Sequence, residues 1–412
     1  MNKNLALHEE EDYLTLNDVL EARERIRDIC VYTKLIYSTE YSKEGGNEIY
    51  IKPENLQLTG AFKIRGALNK IGKLSDEKRK KGLISASAGN HAQGVAYAAN
   101  KLGIEATIVM PETTPLIKVQ ATKSYGANVV LKGNVYDEAY DEAKRLEKEN
   151  GYTFVHPFND VDVMAGQGTI ALEIIEELKD VDVIVVPIGG GGLISGISVA
   201  AKAINPNIKI IGVQAEGANS MKLSFDSGKL TFAEGIDTIA DGAAVRKPGD
   251  IAFEVIKTHV DEIVTVSDKE LMEAVYILLE KHKLVAETTG AMSLAALKKL
   301  DFKGKKVVCL ISGGNIDVVT MAALLNNGLV SRGRMFCFSV KLQDTPGQLL
   351  QIAKILSEQG ANVIKLDHNQ FKAIDRLKHV MLEVTVETNG NDHIEQIVKA
   401  LNISGYNVER VY

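Results

Sequence analysis

Between Asn47 and Ile311 the chain alternates short apolar runs with amphipathic stretches of about 10 to 15 residues, the rhythm of strand, crossover helix and strand. Runs such as V-D-V-I-V-V-P-I (181–188) and K-V-V-C-L-I (306–311) are apolar at successive positions instead of alternate ones. A strand covered on both faces reads that way, so an α/β fold is expected, with twisted, mostly parallel sheets and helices on both faces. Strands are expected at 47–52, 82–85, 106–110, 127–131, 154–157, 181–188, 208–214, 263–266 and 307–311, and helices at 92–102, 115–125, 134–150, 168–178, 193–204 and 268–281. In such folds ligands bind beyond the carboxyl ends of strands, so the loops that follow strands carry the interest. Ahead of them, Leu16, Val19, Leu20, Ile26 and Ile29 share one face of a helix capped by Thr15 or Asn17.

After Asn326 the rhythm changes. N-N-G-L-V-S-R-G-R reads as a linker, and residues 335–412 follow the order β-α-β-β-α-β of a ferredoxin-like module, with D-T-P-G as its first turn. The division is therefore 1–327, a linker at 328–334, and 335–412.

Composition excludes several partners. Among the 412 residues a formal charge of -6 offers no general attraction to nucleic acid or an anionic membrane, and the runs Lys78–Lys81 and Lys303–Lys306 read as solvated faces. No apolar run reaches the roughly 18 residues that span a bilayer. Met1 to Asp12 is acidic and lacks the apolar core of about 7 to 15 residues that a secretory signal needs. Three dispersed cysteines, Cys30, Cys309 and Cys337, fit a reducing compartment without a disulfide framework or metal spacing. A cytoplasmic protein is expected.

Three loops and one lysine draw attention. In E-N-L-Q-L-T-G-A-F-K-I-R-G-A (54–67), Thr59 and Gly60 can cap a helix opening near Ala61, which puts Lys63 in its first turn with Phe62 beside it. The macrodipole disfavours added positive charge there, as an amine kept neutral and nucleophilic requires, although most lysines are solvated surface charges. Gly189 to Gly192, in P-I-G-G-G-G-L-I-S-G, can turn four backbone N–H groups onto one anion at a helix start. No frame fits a dinucleotide fingerprint or a P-loop, so a phosphate cradle is expected; glycines that merely allow close packing are the alternative. S-A-S-A-G-N-H (85–91) offers Ser87 and helix-start N–H groups to a carboxylate and the Asn90 amide to a ring oxygen. His91 is either an acid–base group or a structural donor. In L-I-S-G-G-N, Ser312 ends a strand, and Gly313 and Gly314 let a ligand approach its hydroxyl; this is also a common strand-to-helix turn. A desolvated amine, a phosphate cradle and a carboxylate site together describe pyridoxal phosphate acting on an amino acid.

G-A-F-K-I-R-G-A, S-A-G-N-H-A-Q-G, P-I-G-G-G-G-L and S-G-G-N, in this order, resemble the threonine dehydratase (threonine ammonia-lyase) and serine racemase group of fold type II pyridoxal phosphate enzymes, over about residues 15–327. The resemblance implies a smaller subdomain at about 60–158, a Schiff base on Lys63, Phe62 packed beside the cofactor and Asn90 on its ring oxygen. It further implies the phosphate on the N–H groups of Gly189, Gly190, Gly191, Gly192 and Leu193, Ser312 facing the pyridine nitrogen, and the substrate carboxylate at Ser87, Ala88, Gly89, Asn90 and His91. The neutral Ser312 hydroxyl leaves the ring a shallower electron sink than a carboxylate partner, which favours loss of the β-substituent. The implied reaction has Lys63 take the Cα proton, the hydroxyl leave as water after protonation through the cofactor phosphate, and the released enamine hydrolyse, so that threonine yields 2-oxobutanoate and ammonia. Racemases carry a second serine where this chain has Ala88, so dehydration is expected; an L-serine dehydratase or serine racemase is the alternative. They also place a carboxylate six residues after the glutamate of a divalent-cation site, where Lys222 follows Glu216 here; no divalent metal site is expected, and a monovalent cation stays open. The C-terminal module resembles an ACT domain, with Asp344, Pro346, Gly347, Gln348 and Leu349 for an effector such as isoleucine or valine, or else a dimerisation module without ligand. Feedback-regulated isoleucine biosynthesis in a dimer or tetramer is implied, with a catabolic, nucleotide-activated dehydratase as the alternative.

Overall fold

The computed structural model describes residues 13–369 and 379–412; the reading of Met1 to Asp12 lies outside them. The chain forms two compact units, one ending at Ile316 and one beginning at Asp317.

The first unit holds two sheets. Strands β1 (Ile36–Tyr37), β2 (Glu48–Pro53), β3 (Leu83–Ala86), β4 (Ala106–Met110), β5 (Asn128–Leu131), β6 (Thr153–Phe154), β7 (Val183–Pro187), β8 (Lys209–Ala215), β9 (Glu262–Val266) and β10 (Lys306–Ile311) follow the expected rhythm. The larger sheet has the order β1-β2-β10-β7-β8-β9 and is parallel except for the antiparallel β1–β2 pair. The smaller sheet, β5-β4-β3-β6, is wholly parallel. Every residue of β3 and β7 is buried, as their unbroken apolar runs require.

One helix ties the two sheets together. It runs from Val161 to Glu177, opening at Val161 and not at Gly168, because Asp160 caps it by accepting from the Asp162 and Val163 N–H groups. Its glycines, poor helix formers, are contact points. A Cβ on Gly166 would lie 2.6 Å from Gly66 Cα, and one on Gly196 would lie 2.0 Å from the Met164 carbonyl and 2.6 Å from Gly168 N. The helix carrying Lys63 (Lys63–Gly72) and the helix after the glycine loop (Gly192–Ile204) are thus both seated on it at near-backbone distance.

A buried ion cluster reinforces the first contact. Arg65, 1% exposed, donates from Nε to Glu54 Oε2 (2.8 Å) and from Nη1 to Glu173 Oε1 (2.6 Å). Lys52 Nζ reaches Glu173 Oε2 (2.6 Å), and the Thr33 hydroxyl donates to Glu54 (2.5 Å). Burial alone would push the Glu54 carboxyl up, yet the Arg65 and Lys52 charges hold it below the usual range.

Near the N-terminus, the helix Leu16–Ile26 is capped by Thr15 in a capping box with Asp18, and Val19, Ala22 and Ile26 are buried; Leu20 lies on the exposed side.

The second unit begins with the helix Val318–Ser331, so Asn326 to Ser331 of the expected linker are helical. It continues with β11 (Met335–Gln343), a helix (Gln348–Glu358), β12 (Asn362–Asn369), β13 (His379–Glu387), a helix (Asn391–Ile403) and β14 (Val408–Arg410). The antiparallel order β12-β13-β11-β14 is that of the expected ferredoxin-like module. Among the described residues no helix is long and apolar enough to cross a membrane.

Breaking a buried ion pair from one side costs about 3–5 kcal/mol, because the other charge is stranded. Arg65→Met should therefore shift urea unfolding by about that amount; an unchanged midpoint would show that the cluster does not hold the fold.

Candidate active site

The segment before Lys63 is fixed by the end of β10. Ala61 bridges Gly313, and Phe62 N donates to the Ser312 carbonyl at 3.1 Å. That pairing displaces the expected cap: the helix starts at Lys63 with Phe62 as N-cap, and the Thr59 hydroxyl is buried without a hydrogen-bond partner. Lys63 Nζ donates to the Pro157 carbonyl at 2.7 Å and lies 5.2 Å from the Phe62 ring centroid. Desolvation brings its pKa down to about 8, with the Glu287 charge acting in the opposite direction. Burial is the dominant cause of the neutral tendency.

Phe158, next to Pro157, packs on the glycine loop. A Cβ on Gly190 would lie 2.4 Å from its ring, and one on Gly192 2.4 Å from its carbonyl oxygen. Close packing therefore accounts for those two glycines, and the loop is also the start of a helix. Gly191, at φ 103°, is the N-cap of Gly192–Ile204, and no side chain caps that helix. The first-turn N–H groups of a helix have no carbonyl partner of their own, so Gly192 and Leu193 present donors suited to a phosphate.

On the other side, Ser87 to Gly89 follow β3 and lead into the helix Asn90–Lys101, which has Gly89 as N-cap and no side-chain cap. Ser87 Oγ accepts from Gly89 N at 3.3 Å. Ala88 is half-buried and packs against the core of the smaller sheet. His91 is buried, and its Nε2 lies 2.9 Å from the Val155 carbonyl; a carbonyl only accepts, so Nε2 carries hydrogen. Burial and nearby Lys63 push its pKa down to about 3, leaving a neutral ring that braces the residue after β6 instead of exchanging protons.

Ser312 is 2% exposed at the end of β10. Gly313 and Gly314 make room for the turn at 285–290: a Cβ on Gly313 would lie 2.4 Å from Glu287 Oε1, and one on Gly314 2.6 Å from the Val285 carbonyl. Glu287 accepts from Asn90 Nδ2 at 2.6 Å. It arrives there because the helix Asp268–Ile277 runs into a π-turn, Leu278–His282, which ends on Lys283 in the left-handed region (φ 59°). The sequence reading gave Glu287 no role, although it is a lone acid in the apolar stretch Leu284–Leu297; Asn315, which donates to Asn90 Oδ1 at 2.9 Å, was present in S-G-G-N without a role.

Lys63, Phe62, Asn90, Ser312 and the glycine loop thus meet in the first unit, joined by contacts through Pro157, Phe158 and Gly313. A buried amine, an uncapped glycine helix start and a buried hydroxyl are the donor set that pyridoxal phosphate needs. Asp344, Pro346 and Gly347 belong to the second unit, in an exposed turn before the helix Gln348–Glu358, where Tyr406 donates to Gln348 Oε1 at 3.3 Å. Glu216 is engaged by Lys299 (3.2 Å) and Lys222 by Asp226 (2.6 Å).

Residues 26–313 match the family described as pyridoxal-phosphate dependent enzyme, and the chain belongs to that family. It is 51% identical over 399 residues to an L-threonine ammonia-lyase of Thermotoga maritima, covering 97% of this chain and 100% of the relative. Among solved structures it is similar to the processed form of threonine deaminase isoform 2 from Solanum lycopersicum, with TM-score 0.74, 38% identity, and 79% of this chain and 90% of that one covered. It is also similar to maize serine racemase, with TM-score 0.73, 36% identity, and coverage of 77% and 99%. The cofactor is therefore pyridoxal phosphate.

Two measurements test the geometry. Gly192→Ala sets a methyl against backbone and Gly190→Ala against a side chain that can move. Cofactor affinity, measured by dialysis, should fall by about tenfold or more for Gly192→Ala and less for Gly190→Ala; the reverse order would show that Phe158 does not seat the loop. Cofactor uptake by the apo chain should rise as pH passes about 8, where the Lys63 amine loses its proton.

Proposed function

We propose that the chain is an L-threonine ammonia-lyase, converting L-threonine to 2-oxobutanoate and ammonia. The observation that carries this reading is the position of the Lys63 amine, hydrogen-bonded to a carbonyl and not to a carboxylate, next to the segment that packs on the glycine loop. The 51% identity to a threonine ammonia-lyase over nearly the whole chain supports the substrate.

Bound at this site, pyridoxal phosphate supplies a sink for the electron pair left when the substrate Cα proton is removed. Lys63 anchors the cofactor and, freed by the incoming amine, takes that proton; a depressed pKa keeps a usable fraction of the amine neutral near pH 7. The N–H groups of Gly189 to Leu193 would hold the phosphate, Phe62 would pack at the ring and Asn90 would meet the ring oxygen. Ser312 would face the ring nitrogen with a neutral hydroxyl, limiting the sink and favouring loss of the β-hydroxyl, which takes up one proton to leave as water while Lys63 holds the one from Cα; water then hydrolyses the released enamine to 2-oxobutanoate and ammonia. Ser87 and the N–H groups at the start of the Asn90 helix hold the substrate carboxylate. Ala88 brings no hydroxyl to the opposite face, so nothing there returns a proton in the mirror sense, and elimination is preferred over racemisation.

The C-terminal unit is read as an ACT-like sensor. Its strand order and the exposed turn at Asp344 to Gly347 support this, with Pro346, Gln348 and Leu349 as further effector contacts. Isoleucine is the proposed inhibitor, isoleucine biosynthesis the proposed setting, a cytoplasmic dimer or tetramer the proposed state, and 1–327, 328–334 and 335–412 the functional divisions.

Rates on threonine and serine, with and without isoleucine or valine, test the reading. Threonine should be the faster substrate and isoleucine should slow it. Appreciable D-serine would favour racemisation, and activation by a nucleotide with indifference to isoleucine would favour the catabolic role. Lys63→Ala should lose the absorbance near about 415 nm typical of the bound cofactor, together with oxo-acid formation.

A further inference from the structure

Glu287 occupies the junction of three site segments and is 6% exposed. Its Oε1 accepts from Asn90 Nδ2 at 2.6 Å and fills the space a Cβ on Gly313, directly after Ser312, would take, 2.4 Å from that position. Asn90 Oδ1 accepts from Asn315 Nδ2 at 2.9 Å, and Asn315 Nδ2 also donates to the Thr59 carbonyl at 2.7 Å. The Asn90 amide is therefore held at both ends. A primary amide has two N–H hydrogens, and the Glu287 bond uses one; the direction of the second is then fixed by the first, since both lie in the amide plane. Glu287 itself is anchored by its backbone N–H to the Gly313 carbonyl at 3.1 Å, so carboxyl, amide and the end of β10 form one rigid edge.

The charges facing this carboxyl come from three other elements. Lys63 belongs to the helix at its side, Lys118 to the helix Leu116–Ser124, and Asp241 to the turn Asp241–Ala243, with Lys118 and Asp241 paired at 2.9 Å. No lysine or arginine is hydrogen-bonded to Glu287 among the described residues. Removal from water favours the neutral acid, as does the Asp241 charge, whereas the Asn90 N–H, Lys118 and Lys63 favour the carboxylate. The balance puts its pKa at about 7.

We propose that Glu287 is a positioning residue for the cofactor, orienting the free Nδ2–H of Asn90 toward the ring oxygen and supplying the dissociable acid of that edge. This rests on the assignment of Lys63 and Asn90 made above. Protonation of Glu287 weakens the acceptor that aims Asn90, so the edge the cofactor meets differs between mildly acidic and mildly alkaline solution. The linked stability has a definite sign. An acid whose pKa is raised on folding, from 4.5 to about 7, contributes fully below the lower value and loses that contribution as pH rises through about 7.

The test uses the full chain loaded with pyridoxal phosphate, in wild-type, Glu287→Gln and Glu287→Ala forms. The absorbance of the bound cofactor is followed from about pH 5 to about pH 9, and affinity is measured by dialysis. Glutamine keeps a carbonyl acceptor for Asn90 but does not titrate. Glu287→Gln should hold the cofactor within about threefold of wild type while losing a spectral transition near neutrality, and Glu287→Ala should weaken it about tenfold or more. A spectral titration of Glu287→Gln that coincides with wild type, or wild-type affinity in Glu287→Ala, would overturn the proposal. Borohydride trapping separates it from the reading beneath it: a wild-type adduct on Lys63 keeps that reading, and no adduct there overturns both.

Discussion

Arg65 is the constraint on which the site depends. Its guanidinium is out of water two positions beyond Lys63, and it is tolerable there only because Glu54 and Glu173 each meet it directly. With Lys52 the group forms a neutral quartet joining β2, the Lys63 helix and the helix Val161–Glu177. The Lys63 amine itself meets the Pro157 carbonyl, a partner that stabilises the ammonium far less than a carboxylate does, and burial favours its neutral form.

The glycine crossings act with that quartet. Side chains give under load, but the contacts of Gly66 with Gly166 and of Gly168 with Gly196 are between backbones. The amine and the helix Gly192–Ile204 are consequently referred to one rigid element, and their separation is set without any bond between them. Catalysis that depends on reacting atoms staying within an ångström of their places benefits from such a frame.

Much of this was legible in the sequence, and the remainder was illegible for a definable reason. Continuous apolar runs such as 181–188 disclosed parallel sheets because burial on two faces leaves a local mark. The β-α-β-β-α-β order after Met335 did the same for the second unit. The expected helix opened at Gly168 and not at Val161, where Asp160 caps it, and the value of Gly166 and Gly168 within it lies in what they touch. Lys63, Asn90, Ser312 and the loop at 189–192 each carry a local motif. Glu287 does not, and Arg65 stands in G-A-F-K-I-R-G-A with no sign there of its partners: their meaning comes from residues far along the chain, Asn90 for one and Glu173 for the other. The glycine loop was read as a cradle, yet Gly190 and Gly192 answer first to Phe158, a contact that no spacing announces.

The π-turn at Leu278–His282 has a consequence for how such a chain can change over time. A turn of this kind carries one residue more than an α-turn, its hydrogen bonds closing five residues apart instead of four. Taking a residue out would return the helix to ordinary pitch and rotate everything beyond it by about 100°. The segment that ends in Glu287 would then face elsewhere, though not one side chain had been altered. Chain length in this stretch is inherited information of the same rank as residue identity, and a descendant can exchange its surface letters here far more freely than it can gain or lose one.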